Sequence, residues 1–402
     1  MGHQTSTDRW QLPDGVDELL PDRAAVLESL RRRLLDLYRG WGFQLVIPPL
    51  MEFTDSLLEG VGADLDTLTF KMPDQPSGRT LGVRADITPQ VARIDAHSLA
   101  DEGVSRLCYT GSTLHARQKS LLSSRSPVQA GAEIFGEAAL AADIEVIHLM
   151  LETLRAAGIS AGDITLDLGH GDVCGRLLQS LALDDVSEAA VFDALQRKSR
   201  PDLLQALSGV AREPSEALLA LIGMHGGIEI LERAEALLSP VAPGIDDALF
   251  TLRQVSHQVV AAYPEVNIYF DLAELRGYHY HTGIVFAAYV PGYGEAVANG
   301  GRYDNVGRAY GRARPATGFA TDLKTLVQLQ GTSQAPVSCI HAPVSADPAL
   351  ATVVRELRDA GEIVISSLTG EQDSRCSHEL LQRDGEWTVQ ALTSAQSPDG
   401  IA

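Results

Sequence analysis

Long apolar runs, cysteine pairs and basic charge are what this chain has too little of. No uninterrupted apolar stretch approaches the ~18 residues of a membrane-spanning helix, and Met1 to Pro13 is polar, so neither a span nor a secretory leader is expected. The expectation is a soluble, cytoplasmic protein with no membrane partner. Cys108, Cys174, Cys339 and Cys376 show no Cys-x-x-Cys spacing, which favours isolated reduced thiols over a zinc site or a disulfide framework. No metal and no cofactor is expected. Lys and Arg total 32 against 53 Asp and Glu, a formal charge of −21. Such a field repels polyanions and offers little counterion release on a phosphate backbone, so a nucleic-acid partner is disfavoured.

With 45% apolar residues in 402, the chain has enough for one large core and a smaller one. Residues 1–11 are expected to be a flexible tail. From Pro21 to Leu37, apolar Ala24, Leu27, Leu30, Leu34 and Leu37 fall at helical spacing, with Pro21 suited to the first turn and Gly40 beyond the end. Phe43 to Ile47 then reads as a strand stopped by Pro48-Pro49, with Glu52 on an extended segment. Val104 to Leu114 and Pro127 to Gly136 read as two strands joined by a polar loop, and residues 138–156 as a helix. Strands are expected at Ile164 to Leu168, Val266 to Leu272 and Gly283 to Tyr289, with a hairpin tip at 291–294. Between about Gly171 and Tyr263 the pattern turns mainly helical, an insertion into the rest. After a Ser-Gln-Ala-Pro linker, residues 336–402 suggest a small α/β domain: a strand at Val337 to Ile340, a helix near 349–359, and strands at 363–366 and 387–392.

Three blocks carry the chemistry. Arg84, Asp86 and Thr88 lie between a strand and a helix; Gln129 and Glu133, four apart on one strand, share a face; and Arg276 to Phe286 is followed by Asn299-Gly300-Gly301-Arg302-Tyr303-Asp304 and then Pro315 to Ala320. Taken alone, the glycine-rich block is more often a turn with a solvated salt pair, and His279 and His281 are more often packed ring positions than ligands.

In order and spacing these blocks resemble histidyl-tRNA synthetase, a class II aminoacyl-tRNA synthetase. The resemblance implies an α+β fold over residues 12–330, an antiparallel sheet flanked by helices with an insertion at about 171–263. It also implies a dimer formed through the first helix and strand. It assigns Gln129 and Glu133 to the substrate's amino group, with Asp86 and Thr88 completing that cradle, and Arg276 to its carboxylate. Tyr280, His281 and Tyr303 fall where the family reads an imidazole, which needs a donor and an acceptor at fixed separation.

The nucleotide side departs from the family. Attack of a carboxylate on the ATP α-phosphate needs fixed cations, and loss of one such contact costs about 2–4 kcal/mol of transition-state stabilisation. Where the second family motif carries arginine and then glutamate, this chain has His115 and Arg117. Where the third ends in arginine it has Thr325, with Asp322 nearby. The sequence from Leu12 to Leu329 is more similar to the synthetase paralogues that serve as regulatory subunit of ATP phosphoribosyltransferase, the enzyme joining ATP to phosphoribosyl pyrophosphate in histidine biosynthesis. That resemblance implies a non-catalytic chain that activates a short catalytic subunit and contributes to feedback inhibition by L-histidine, bound in the relic pocket or at a subunit interface. A working synthetase and a stand-alone histidine sensor are the alternatives.

Overall fold

The computed structural model describes residues 10–59, 63–120, 122–181, 183–274, 280–330 and 338–392. The expected tail up to residue 9, Arg276 to His279 and the Ser-Gln-Ala-Pro linker lie outside them. The chain divides into two compact units at Gly331/Thr332.

Among the described residues, twelve strands belong to the first unit: β1 (Gln44–Leu45), β2 (Met51–Phe53), β3 (Phe70–Pro73), β4 (Thr80–Val83), β5 (Ser105–Ser112), β6 (Val128–Phe135), β7 (Thr165–His170), β8 (His225–Gly226), β9 (Asn267–Asp271), β10 (Ile284–Tyr289), β11 (Ala298–Arg302) and β12 (Ala316–Asp322). Nine of them form one sheet in the order β1-β5-β6-β12-β11-β10-β7-β9-β8. The sheet is mixed: β1 with β5 and β7 with β9 run parallel, and its other neighbours antiparallel. The short strands β2, β4 and β3 make a separate three-stranded sheet that the sequence pattern did not announce.

Alternation along β6 explains the layering. Ala130, Ala132 and Ile134 point into the main core, where they meet Leu30, Leu34 and Tyr38 of helix Pro21–Gly40 and Val146, Leu149 and Met150 of helix Leu140–Ala156. Each such leucine, fully withdrawn from water, contributes about 1.5–3 kcal/mol. The alternate residues Gln129, Gly131 and Glu133 look the other way. There Ile87, Val91, Leu107, Tyr109 and Tyr303 form a second cluster. The first face is closed by long helices, and on the second, among the described residues, the six-residue helix Thr88–Arg93 and the 3-10 turn Val306–Tyr310 pack.

Between β7 and β9 the chain builds helices Gly171–Leu181, Asp185–Gln196, Arg200–Ala206, Arg212–Leu221, Glu229–Leu238 and Ile245–Ala262. Strand β8 also comes from this insertion and supplies the last strand of the large sheet. Glycine-rich β11 is a strand, and the Arg302 pair is buried: the guanidinium, 8% exposed, donates to Asp143 at 2.8–3.1 Å. A solvated turn is thereby excluded for this block.

In the second unit, β13 (Cys339–Ala342), β14 (Val364–Ser366), β15 (Cys376–Arg383) and β16 (Glu386–Ala391) form a sheet ordered β14-β13-β15-β16, against which helix Pro348–Asp359 packs Leu350 and Val354. All four cysteines are free and buried. Two of them are not isolated, however, because Cys339 and Cys376 are register partners on β13 and β15.

Candidate functional site: a two-ended pocket on the open face of the sheet

A row of glycines makes the space. Glu133 on β6 stands opposite Gly318 on β12, which pairs with Gly301 on β11. A Cβ on Gly318 would fall 1.4 Å from Glu133 Oε2, and one on Gly301 would fall 2.7 Å from His281 Cδ2. One on Gly131 would fall 2.4 Å from the Tyr109 hydroxyl. Any side chain along this row would displace the polar groups it now admits.

The polar groups separate into two ends joined by Thr88. At one end Asp86 Oδ1 accepts from the Thr88 amide at 2.9 Å and from Gln129 Nε2 at 3.0 Å, while Gln129 Oε1 accepts from the Ile87 amide at 2.9 Å. Asp86 Oδ2 has no hydrogen bond among the described residues. At the other end Glu133 Oε1 accepts from the Thr88 and Tyr109 hydroxyls, both at 3.0 Å, and Oε2 accepts from the Tyr303 hydroxyl. Burial pushes the Glu133 carboxyl up to about 8, against the pull of those three hydroxyls.

Tyr280 stacks on Tyr303 with ring centroids 5.1 Å apart, and His281 meets Tyr280 edge-on at 5.3 Å. The buried Tyr280 hydroxyl finds no partner among the described residues. Asp86, Thr88, Gln129, Glu133, Tyr280 and Tyr303 thus converge, and His281 turns toward an adjoining groove lined by Asp167, Glu274, Phe286, Asn299 and Gly300. Arg276 lies outside the described residues. Sequence reasoning missed Tyr109, whose one available signal was its position on a strand paired with the Gln129–Glu133 strand. Arg84 is occupied elsewhere: its guanidinium donates to the carbonyls of Ser112 at 2.9 Å and Pro48 at 2.8 Å, fixing the corner before Asp86.

The nucleotide side presents little cationic charge to a ligand. His115 is buried and donates from Nε2 to the Ala85 carbonyl at 2.9 Å; burial drops its pKa to about 4, so the ring is neutral. Arg117 is exposed on Thr67 Oγ1 at 2.9 Å. Arg125 is spent on the carbonyls of Asp14, His115 and Ala116, each at 3.0 Å. Thr325 donates to Asp322 Oδ2 at 3.2 Å, and Asp322 Oδ1 accepts the amides of Val128 and Lys324 at 3.0 and 3.1 Å. A carboxylate and a hydroxyl thus hold each other at Asp322 and Thr325.

A family description for histidyl-tRNA synthetase matches residues 15–326, and one for the C-terminal domain of ATP phosphoribosyltransferase subunit HisZ matches residues 337–390. The chain is 50% identical over 396 residues to the ATP phosphoribosyltransferase regulatory subunit of Thioalkalivibrio sulfidiphilus, covering 96% of this chain and 100% of that protein. The chain belongs to the family of ATP phosphoribosyltransferase regulatory subunits. The protein of that name from Pseudomonas fluorescens is 47% identical, covering 97% of this chain and 100% of its own length. Among solved structures, one described as an ATP phosphoribosyltransferase regulatory subunit/histidyl-tRNA synthetase from Bacillus halodurans superposes with a TM-score of 0.78 at 25% identity, over 91% of this chain and 94% of that one. The histidyl-tRNA synthetase of Nostoc shares the fold at a TM-score of 0.75 and 18% identity, over 95% and 97% of the two chains. The regulatory-subunit family thus has a class II synthetase-like α+β core, as the sequence resemblance implied. No helix among the described residues is long and apolar enough to cross a membrane.

Proposed function

We propose that this protein docks on the short catalytic subunit of ATP phosphoribosyltransferase, activates it, and carries feedback inhibition by L-histidine bound in the two-ended pocket. Histidine is a zwitterion with a ring. Its ammonium suits the open oxygen of Asp86, beside Gln129 and Thr88. Its imidazole suits the other end, where Glu133, Tyr303 and the unpartnered Tyr280 hydroxyl supply a donor and acceptors. Its carboxylate falls to Arg276. This assignment moves Glu133 from the ammonium to the ring, because its oxygens face tyrosines and Thr88, whereas Gln129 pairs with Asp86.

The single observation that carries the reading is the split within one cleft. The amino-acid groups are assembled, whereas the phosphate positions hold a neutral buried His115 and an Asp322–Thr325 pair. The protein accordingly has no aminoacylation activity of its own and, with its charge of −21, no nucleic-acid partner. It works in the cytoplasm, without a cofactor or metal. A homodimer forms around edge strand β1, where Leu45, Ile47, Leu50 and Met51 are exposed.

Calorimetric titration with histidine on wild type and Glu133→Ala tests the pocket. Binding lost in the variant supports it, and equal affinities would transfer the inhibitor to a subunit interface. Copurification with the catalytic subunit and restored phosphoribosyl transfer test the docking. Histidine-dependent ATP–pyrophosphate exchange by the protein alone would instead make it a working synthetase.

A further inference from the structure

Lys198 occupies a conformation that lysine disfavours. It follows helix Asp185–Gln196 with φ of 50°, and the bonds Lys198 N to Leu195 O and Ser199 N to Ala194 O close the helix end around it. Glycine is the usual residue at such a left-handed end, because a Cβ is strained there. A residue kept in a strained conformation calls for a reason in its side chain.

The reason lies across the boundary between insertion and sheet. Lys198 Nζ donates to Asp271 Oδ2 at the end of β9. Asp271 is 11% exposed, and its Oδ1 accepts the Ala273 amide at 3.1 Å. Asp167, Asp271 and Glu274 bring their carboxylate oxygens within 4.8 Å of one another. The Lys198 ammonium on Oδ2 and the Ala273 amide on Oδ1 together fix the orientation of the Asp271 carboxylate within this group. The same stem is held by Leu272 N to Met224 O at 3.1 Å and Glu274 N to Asp271 O at 3.2 Å. Five residues beyond Asp271 the sequence reaches Arg276, and ten beyond it His281.

We propose that Lys198 is a positioning residue by which the helical insertion sets the affinity of the pocket for its amino-acid ligand. It touches no ligand itself. It fixes the stem from Asp271 to Glu274, and Asp167 and Glu274 line one groove with His281, which packs edge-on against Tyr280. The proposal rests on histidine occupying the pocket.

Lys198→Gly makes the test clean, because glycine relieves the backbone strain while removing the ammonium. The expected result is a melting temperature equal to or above wild type, with histidine bound about five- to tenfold more weakly, in the range of ordinary coupling between sites. Lys198→Arg should restore most of the affinity. Asp271→Asn should also weaken binding, and the double variant Lys198→Gly/Asp271→Asn should bind no more weakly than the weaker single one. Unchanged affinity in Lys198→Gly, or additive losses in the double variant, would overturn the proposal. Should Lys198→Gly fail to fold, the comparison of Asp271→Asn with Lys198→Arg decides in the same way. If wild type binds no histidine, the pocket reading fails, and hydrogen exchange at the amides of Leu272, Ala273 and Glu274 decides the positioning role. Faster exchange in Lys198→Gly supports it, and unchanged exchange rejects it.

Discussion

The two ends of the cleft began with the same scaffold and diverged in what their side chains are free to do. At the amino-acid end, Glu133, Tyr303, Tyr109 and Thr88 form a network whose glycine floor leaves Asp86 Oδ2 and the Tyr280 hydroxyl available. At the nucleotide end, His115, Arg125 and Thr325 are each turned onto the protein's own groups. His115 Nε2, Arg125 and Thr325 are engaged by the chain itself, although the buried His115 Nδ1 has no partner among the described residues.

The most severe way to break the contrast is Gly318→Ala. The new methyl would overlap Glu133 Oε2 and lie 2.8 Å from the Ala132 carbonyl. The expected cost is about 3 kcal/mol or more in denaturant unfolding, with histidine binding lost beyond calorimetric detection. Normal binding by this variant would mean that the glycine row is not the floor of the site.

Next in size is a pH effect of opposite sign at the two ends. Glu133 titrates at about 8 in the folded protein, above its ordinary 4.5, so the folded state holds the extra proton. Its contribution to stability is fully present below about 4.5 and declines as pH rises toward 8. His115 is depressed from 6.5 to about 4, so its contribution is present above about 6.5 and is lost as pH falls toward 4. Chemical denaturation from pH 4 to 9 should show Glu133→Gln flattening the alkaline limb and His115→Asn the acid limb. Identical profiles for both variants and wild type would contradict the burial that distinguishes these groups.

A smaller effect is expected from Thr325→Arg. One charge-assisted contact of roughly 1–2 kcal/mol should tighten ATP binding about five- to thirtyfold, while adenylate formation stays absent because His115 remains neutral and buried. Adenylate formation restored by this one change would erase the distinction between the two ends. Smallest of all, Arg117→Ala removes only an exposed contact to Thr67 and should shift stability by less than about 0.5 kcal/mol, with histidine affinity unchanged by calorimetry.

Legibility in the sequence followed locality. Gln129 and Glu133 were readable because their spacing on a strand dictates a shared face, and the helices Pro21–Gly40 and Leu140–Ala156 because their apolar periodicity is strong. Tyr109 was not, since nothing within its own strand says that it faces Gly131 on the next. The Arg302–Asp143 pair joins residues 159 apart and leaves no local mark. Strand β15 was hidden by composition: Glu379, Leu380, Leu381 and Gln382 favour helix, yet the segment pairs between β13 and β16. There the neighbouring strands override intrinsic propensity. Lys198 was equally invisible, because a lysine after a helix looks like any solvated charge until its φ and its partner are known.

The pairing of β6 with β12 has a kinetic consequence. Glu133 on β6 pairs with Gly318 on β12, 185 positions along the chain, and contacts of such long range are closed late, after local helices have formed. During refolding the chain should pass through a helix-rich stage that cannot yet recognise its ligand. Recovery of histidine recognition should accordingly lag behind recovery of far-ultraviolet ellipticity.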